Sequence, residues 1–175
     1  MANGAILDTN CFSHVFNRAD VRHNDFSPFL EWLISGSGYL VYGGTKYKDE
    51  LQKATKYLKL FSILNQYNKA IPYNSKLIDQ EMERIVKQVN NTTFDDPHLA
   101  AIVVITKSRV ICSGDSRSFS FLKRKDIYNG QVDCPKFYTG IKCSHLLKPR
   151  YVGKKNQLNN KVSNNLYNTI NKIVD

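Results

Sequence analysis

Four acidic residues sit where short apolar runs end or helices begin. Asp8 follows Ala5-Ile6-Leu7, Glu50 lies early in a helical stretch, Asp96 stands in Asp95-Asp96-Pro97, and Asp115 closes Ser113-Gly114-Asp115. Carboxylates gathered within a few ångströms repel one another, and such a cluster holds only if protons or a cation neutralise it. Oxygen donors suit hard cations such as Mg²⁺ or Mn²⁺. An ion of this kind lowers the pKa of a water and steadies the leaving oxygen of a phosphodiester; two ions about 3.5–4 Å apart could do both. Asp96 or Asp115 could help deprotonate the water. Each acid also has an ordinary role open to it. Asp8 and Asp96 are able helix caps, Asp115 suits a turn, and Glu50 suits a solvated helix face.

The acids act together only if the fold brings them together. Ala5–Leu7 reads as a short buried strand, with a helix over Asn10–Phe16 beyond it. Ser27-Pro28 is the expected start of a helix ending at Gly36. A second strand is expected over Tyr39–Tyr42, followed by the turn Gly43-Gly44-Thr45 with Thr45 as cap. Tyr47, Leu51, Ala54, Leu58 and Phe61 recur at spacings of four and three, predicting one helix over Thr45–Tyr67. Ala70–Tyr73 is a third strand, with Asn74-Ser75 capping a helix over Lys76–Val89. Asp95-Asp96-Pro97 opens an apolar helix through Ile105, Arg109–Cys112 is a strand, Ser116–Leu122 is helical, and Asn159–Asp175 is a terminal helix. Alternating strands and helices predict an α/β/α sandwich with a mainly parallel central sheet. In such a sheet ligands bind beyond the carboxyl ends of the strands. Asp8, Glu50 and Asp115 would meet on that rim, and Asp96 joins them if its helix starts there.

The length of 175 residues fits one domain, and the 42% hydrophobic content is that of a globular chain. No apolar run approaches the roughly 20 residues of a membrane span. The opening MANGAILD has no basic, apolar leader, and the four cysteines (11, 112, 134, 143) are irregularly spaced. A reduced, cytoplasmic protein is expected. The formal charge is +10, and from Lys123 onward there are eleven basic residues against three acids. That favours a polyanionic partner, nucleic acid first. Residues 1–125 are read as the catalytic body and 126–175 as a basic C-terminal extension packed on it. Aromatics interleaved with lysine in that extension could stack on bases or form its apolar face.

The motifs resemble those of PIN-domain ribonucleases. Asp8-Thr9-Asn10 after a short strand is similar to their opening motif, Asp96-Pro97-His98-Leu99-Ala100-Ala101 to their third, and VICSGDSRSF (Val110–Phe119) to their fourth. Their second motif is a lone acid on the helix after strand two, a place Glu50 fills 42 residues after Asp8, with Asp49 as its rival. The resemblance covers about residues 4–122. It implies a PIN-like fold and a Mg²⁺- or Mn²⁺-dependent endonuclease acting on RNA, with Asp8, Glu50, Asp96 and Asp115 as the metal-binding and catalytic set. Asn10 and Ser113 would orient those acids; Ser113 stands where many members carry Thr, and the hydroxyl is kept. Many such proteins are toxins held by an inhibitory protein partner, so a toxin or defence role, such a partner and self-association are all open. Related folds cut DNA, and a catalytically silent binding module on this fold is a further alternative. Lys46, Lys48 and Arg117 flank the site as candidate phosphate contacts. His98, two residues past Asp96 and thus about 200° round the helix, is expected to point away.

Other signals are weaker. Cys134, Cys143 and His145 lack the close cysteine pair and fourth ligand of a structural zinc site. No glycine-rich nucleotide cradle is present.

Overall fold

The computed structural model describes residues 4–155 and 157–175, so the first three residues of the opening MANGAILD lie outside the described residues. In chain order the elements are β1 (Ala5–Leu7), a 3₁₀ turn (Thr9–Cys11), α1 (Phe12–Phe16), α2 (His23–Ile34), β2 (Leu40–Gly43), α3 (Thr45–Lys53), α4 (Thr55–Gln66) and β3 (Ala70–Tyr73). There follow α5 (Ser75–Val89), α6 (Pro97–Thr106), β4 (Val110–Cys112), a 3₁₀ turn (Ser116–Ser118), α7 (Phe119–Leu122), α8 (Lys125–Tyr128), β5 (Lys136–Tyr138), a 3₁₀ segment (Ile141–Leu147) and α9 (Asn160–Val174). The five strands form one parallel sheet in the order β3-β2-β1-β4-β5. The chain builds outward from β1 through β2 to β3, then returns to the other side of β1 for β4 and β5. β1 and β4 therefore flank the point where the winding reverses, and a crevice opens there beyond their carboxyl ends.

The strands are short, and the central β1 and β4 are buried on both faces, as helix-covered parallel strands are. Ala5, Ile6, Leu7, Val110, Ile111 and Cys112 are fully enclosed. In α6 every residue but Ile105 is buried. A helix apolar all round belongs inside the molecule, and α6 packs against α5 and reaches β1 and β2. Among the described residues no helix is long and apolar enough to cross a membrane.

Four sequence expectations are corrected. α2 starts at His23, ahead of Ser27-Pro28; Pro28 has no N–H for the Asn24 carbonyl, and the Ser27 hydroxyl donates to that carbonyl instead at 3.2 Å. The helix read over Thr45–Tyr67 breaks at Ala54, whose ψ of 68° is non-helical. The apolar spacing runs straight through the break. What bends the chain is that the halves have different partners: α3 meets β2 and α5, while α4 packs on α9 and β3. Thr45 is no cap either, since its N–H and hydroxyl donate to the Asp79 carboxylate of α5 at 2.8 and 2.6 Å. Finally, the segment after residue 125 is part of the sheet itself. β5 pairs with β4, and Tyr128, Tyr138, Val152, Leu166 and Ile170 are core residues. Three strand residues behind Cys134-Pro135 carry no alternation long enough to read.

Candidate functional site

Each acid reaches the rim by a local device. Asp8 is the first residue past β1, where its N–H donates to the Cys112 carbonyl of β4 at 2.9 Å. Its carboxylate turns back over the strand end and is 4% exposed. It accepts from the Ser113 hydroxyl at 2.7 Å, the Asn10 amide side chain at 3.0 Å and the Asn10 N–H at 3.4 Å. Asp8 is therefore also the cap of the 3₁₀ turn that follows it. Asn10 completes the link between the two strand ends, accepting from Gly114 N–H through Oδ1 at 3.4 Å. Asn10 and Ser113, the two polar residues singled out beside the acids, both donate to the Asp8 carboxylate.

Glu50 is brought in by α3, which is pinned to the end of β1 by the buried Tyr47 hydroxyl donating to the Leu7 carbonyl at 2.6 Å. Its Oε2 accepts from the Thr9 hydroxyl at 2.8 Å. The rival Asp49 is exposed on the neighbouring face. Asp96 stands at the start of α6 without capping it, and its carboxylate accepts from the Ser118 hydroxyl.

The electrostatics tie three of the acids together. Burial pushes Asp8 up from 3.8 to about 6; the Ser113 and Asn10 bonds oppose that rise, and the negative charges of Asp96 and Glu50 add to it. Asp115 is different. It caps the turn Ser116–Ser118 and is clasped by Arg117, whose Nε lies 2.9 and 3.0 Å from its two oxygens. The Arg117 bond holds the Asp115 carboxyl below its ordinary range. The Arg117 side chain is 78% exposed. Asp115 still reaches the site through the backbone, donating its N–H to Ser113 Oγ at 3.2 Å, the same oxygen that serves Asp8.

Two expectations fail here. His98 faces the site: its ring is 1% exposed, with Nε2 3.8 Å from Glu50 Oε2, beyond hydrogen-bonding range. Among the described residues neither ring nitrogen has a hydrogen-bond partner. Burial first, then the nearby Lys46 charge, drive its pKa from 6.5 to about 3, so the ring is neutral. The angle from Asp96 misled because Asp96 is the non-helical residue before α6, with ψ of 40°. Lys48 points elsewhere. Lys46 and Glu50, four apart, share a face of α3; Lys48 lies between them on the other side and donates to Ser75 Oγ at 2.7 Å. Lys46 does stay at the rim, donating to the Asp95 carbonyl. Arg117 holds Asp115 and feels the charges of Asp95 and Asp96. The sequence reading also missed the hydroxyls of Thr9 and Ser118 as partners of the acids. Their signal is closeness in the chain, Thr9 following Asp8 and Ser118 lying three residues past Asp115.

Among the described residues no three His, Cys, Asp or Glu side chains are grouped so as to hold a metal ion as they stand. Ser118 engages Asp96, Thr9 engages Glu50, and Arg117 supplies the positive charge at Asp115. The donor chemistry nevertheless fits a hard cation. Asp8 feels the charges of Asp96 and Glu50, and beside Glu50 stands a buried imidazole whose two nitrogens have no partner among the described residues. Buried polar atoms without partners are rare and call for an explanation.

Comparison with models of known families, with curated proteins and with solved structures finds no match for this chain.

Proposed function

We propose that this protein is a Mg²⁺- or Mn²⁺-dependent endoribonuclease with a PIN-like fold. The observation that carries the reading is the buried Asp8 at the β1/β4 crevice, raised to about 6 with two further acids from α3 and the start of α6 contributing. A buried carboxylate with raised pKa, placed with further acids at the carboxyl ends of a parallel sheet, is a functional-site signature. Asp8, Glu50 and Asp96 are the residues that would hold the ion, and Asp115 would join them when Arg117 lets go. A bound divalent ion offsets the carboxylate repulsion, lowers the pKa of a water and stabilises an oxyanion.

The chain's own residues do the positioning. Ser113 and Asn10 orient Asp8, Thr9 orients Glu50, and Ser118 orients Asp96. Hydrolysis forms a bond from water oxygen to phosphorus and breaks the bond to the leaving ribose oxygen. A rim carboxylate takes the proton of the water, and the leaving oxygen is protonated from solvent. Arg117 lies on the solvent side, where it exchanges Asp115 for a substrate phosphate. The net charge of +10 supports a polyanionic substrate. RNA is the substrate proposed; single-stranded and flap DNA are the comparisons. A toxin or defence role, with an inhibitory protein partner, follows from the motif resemblance alone.

The test is degradation of labelled RNA with Mn²⁺, against EDTA and Asp8→Ala controls. Metal-dependent cleavage that Asp8→Ala abolishes is the expected result. RNA binding without cleavage under Mg²⁺ and Mn²⁺ supports the alternative, a silent binding module. The clasp between Arg117 and Asp115 is the observation on that side.

A further inference from the structure

On the Asp115 side of the acidic rim lies an open cavity of about 260 Å³, lined by Asn10, His14, Arg22, Gly114 and Asp115. Its basic groups have no part in the reading above. Among the described residues Arg22 has its guanidinium held in place without an acidic partner. Its guanidinium lies 5.1 Å from the Phe26 ring centre, its backbone N–H donates to Asp20 at 2.8 Å, and its Nη2 donates to the Thr139 carbonyl at 3.3 Å. Nη1 makes no hydrogen bond among the described residues and points toward Gly114, where an added Cβ would lie 3.2 Å from it. Asp115 lines the same cavity, but its charge is already met by Arg117.

His14 is fixed as firmly. The Asp20 carboxylate accepts from His14 Nδ1 at 2.9 Å and from the Ser13 hydroxyl at 2.6 Å. A carboxylate can only accept, so Nδ1 carries the proton. The other ring nitrogen has no partner among the described residues. The Cδ2 edge beside it faces Gly114, 4.0 Å from the position of an added Cβ. A side chain at position 114 would fill the space between the two basic groups.

We propose that this cavity is a phosphate subsite, in which Arg22 donates to a backbone phosphate of an RNA strand next to the phosphate at the acidic rim, and His14 joins it through Nε2–H when the ring is an imidazolium. The assignment rests on the nuclease reading for the identity of the strand. The volume suits a phosphate and sugar, and is small beside the roughly 300–1,000 Å³ of sites that enclose larger ligands. The guanidinium provides the donors that phosphate takes best. Gly114 keeps the space open, and Asn10, bonded to both Asp8 and Gly114, joins the cavity to the acidic rim.

The experiment measures binding apart from catalysis. Fluorescence anisotropy of a short labelled single-stranded RNA with the full chain in EDTA is compared for wild type, Arg22→Ala, Gly114→Val and, as a control on the exposed face of α9, Lys161→Ala. Arg22→Ala is expected to weaken binding roughly fivefold to tenfold and to lower the salt slope by about one. Gly114→Val is expected to weaken it comparably by filling the cavity, and Lys161→Ala by less than about twofold. Inorganic phosphate, titrated into the metal-free protein, should shift the His14 ring resonances in wild type and not in Arg22→Ala. Unchanged affinity in both Arg22→Ala and Gly114→Val, with melting curves showing both folded, overturns the subsite. If wild type cuts RNA while these variants bind normally, the subsite fails and the nuclease reading stands. If nothing cuts RNA yet Arg22→Ala loses affinity and the phosphate shift, the subsite stands and the nuclease reading fails.

Discussion

Two buried charges, one at each end of the sheet, are treated in opposite ways. Lys69 lies just before β3, 1% exposed, and its ammonium donates to the Gly36 and Gly38 carbonyls at 2.9 and 3.0 Å. Burial lowers its pKa from 10.5 to about 8. It is a staple: one cation closing a turn that presents two oxygens. Asp8 lies just past the end of β1 with comparable burial, but the charges near it are Asp96 and Glu50, which share its sign. Nothing in the packing requires that repulsion. A buried ion with complementary partners reads as architecture, and one among like charges reads as a place for a ligand.

That comparison can be broken at either end, and the largest effect belongs to activity at the acidic end. Asp96→Asn is expected to lower Mn²⁺-dependent RNA cleavage by roughly 10²–10³-fold, on the scale of losing one group that stabilises charge in a transition state. A rate within a few-fold of wild type would remove Asp96 from the site.

At the other end, Lys69→Ala removes a buried stem and leaves two carbonyls without their donor. The expected loss is about 3 kcal/mol in denaturant unfolding, with cleavage per folded molecule unchanged. A neutral result would mean that Lys69 is no staple.

Metal sharpens the contrast. Mn²⁺ at about a hundred times its dissociation constant should stabilise wild type by about 2.7 kcal/mol. Asp8→Asn should gain much less. Equal gains in the two proteins would place the ion away from Asp8.

In metal-free protein Asp8→Asn is expected to be more stable than wild type at neutral pH, by about 1–2 kcal/mol. A rise of about two pKa units corresponds to about 3 kcal/mol, and the amide forfeits part of that in lost hydrogen bonds. The sign follows from linkage. The folded pKa of about 6 exceeds the unfolded 3.8, so the Asp8 contribution is fully present below about pH 4 and is lost as pH rises through 6. The advantage of Asp8→Asn should therefore shrink as the medium is acidified, which thermal melts across that range will read. An advantage independent of pH would show that the carboxylate is not strained.

The smallest effect is expected at Arg117. Its contact with Asp115 is solvent-exposed and screened, so Arg117→Ala should leave the thermal melting midpoint nearly unchanged. The same variant frees Asp115 and should tighten Mn²⁺ binding in calorimetry. Weaker metal binding would show that Arg117 helps to organise the rim.

Much of the fold was legible because it is written in local pattern. The short apolar runs at Ala5–Leu7 and Ala70–Tyr73 and the cap at Asn74 need only neighbouring residues to be read, and they stand as expected. So does Asp96-Pro97 as the start of α6. β5 was illegible because three residues have no period, and it becomes a strand only because β4 offers an open edge. The break at Ala54 was hidden for the same reason, since the partners that divide α3 from α4 lie far away in the chain.

The candidate site divides along the same line. The amino-acid sequence by itself determined which carboxylates stand at strand ends and helix starts, because strand period, proline and capping chemistry act within a few residues. Tertiary structure alone decided that Glu50 meets Thr9, that His98 turns inward, that Arg117 holds Asp115, and that Arg22 and His14 share a cavity with Gly114. Those relations depend on distances across the sheet and on the dielectric of a closed interior, and both exist only once the chain has folded.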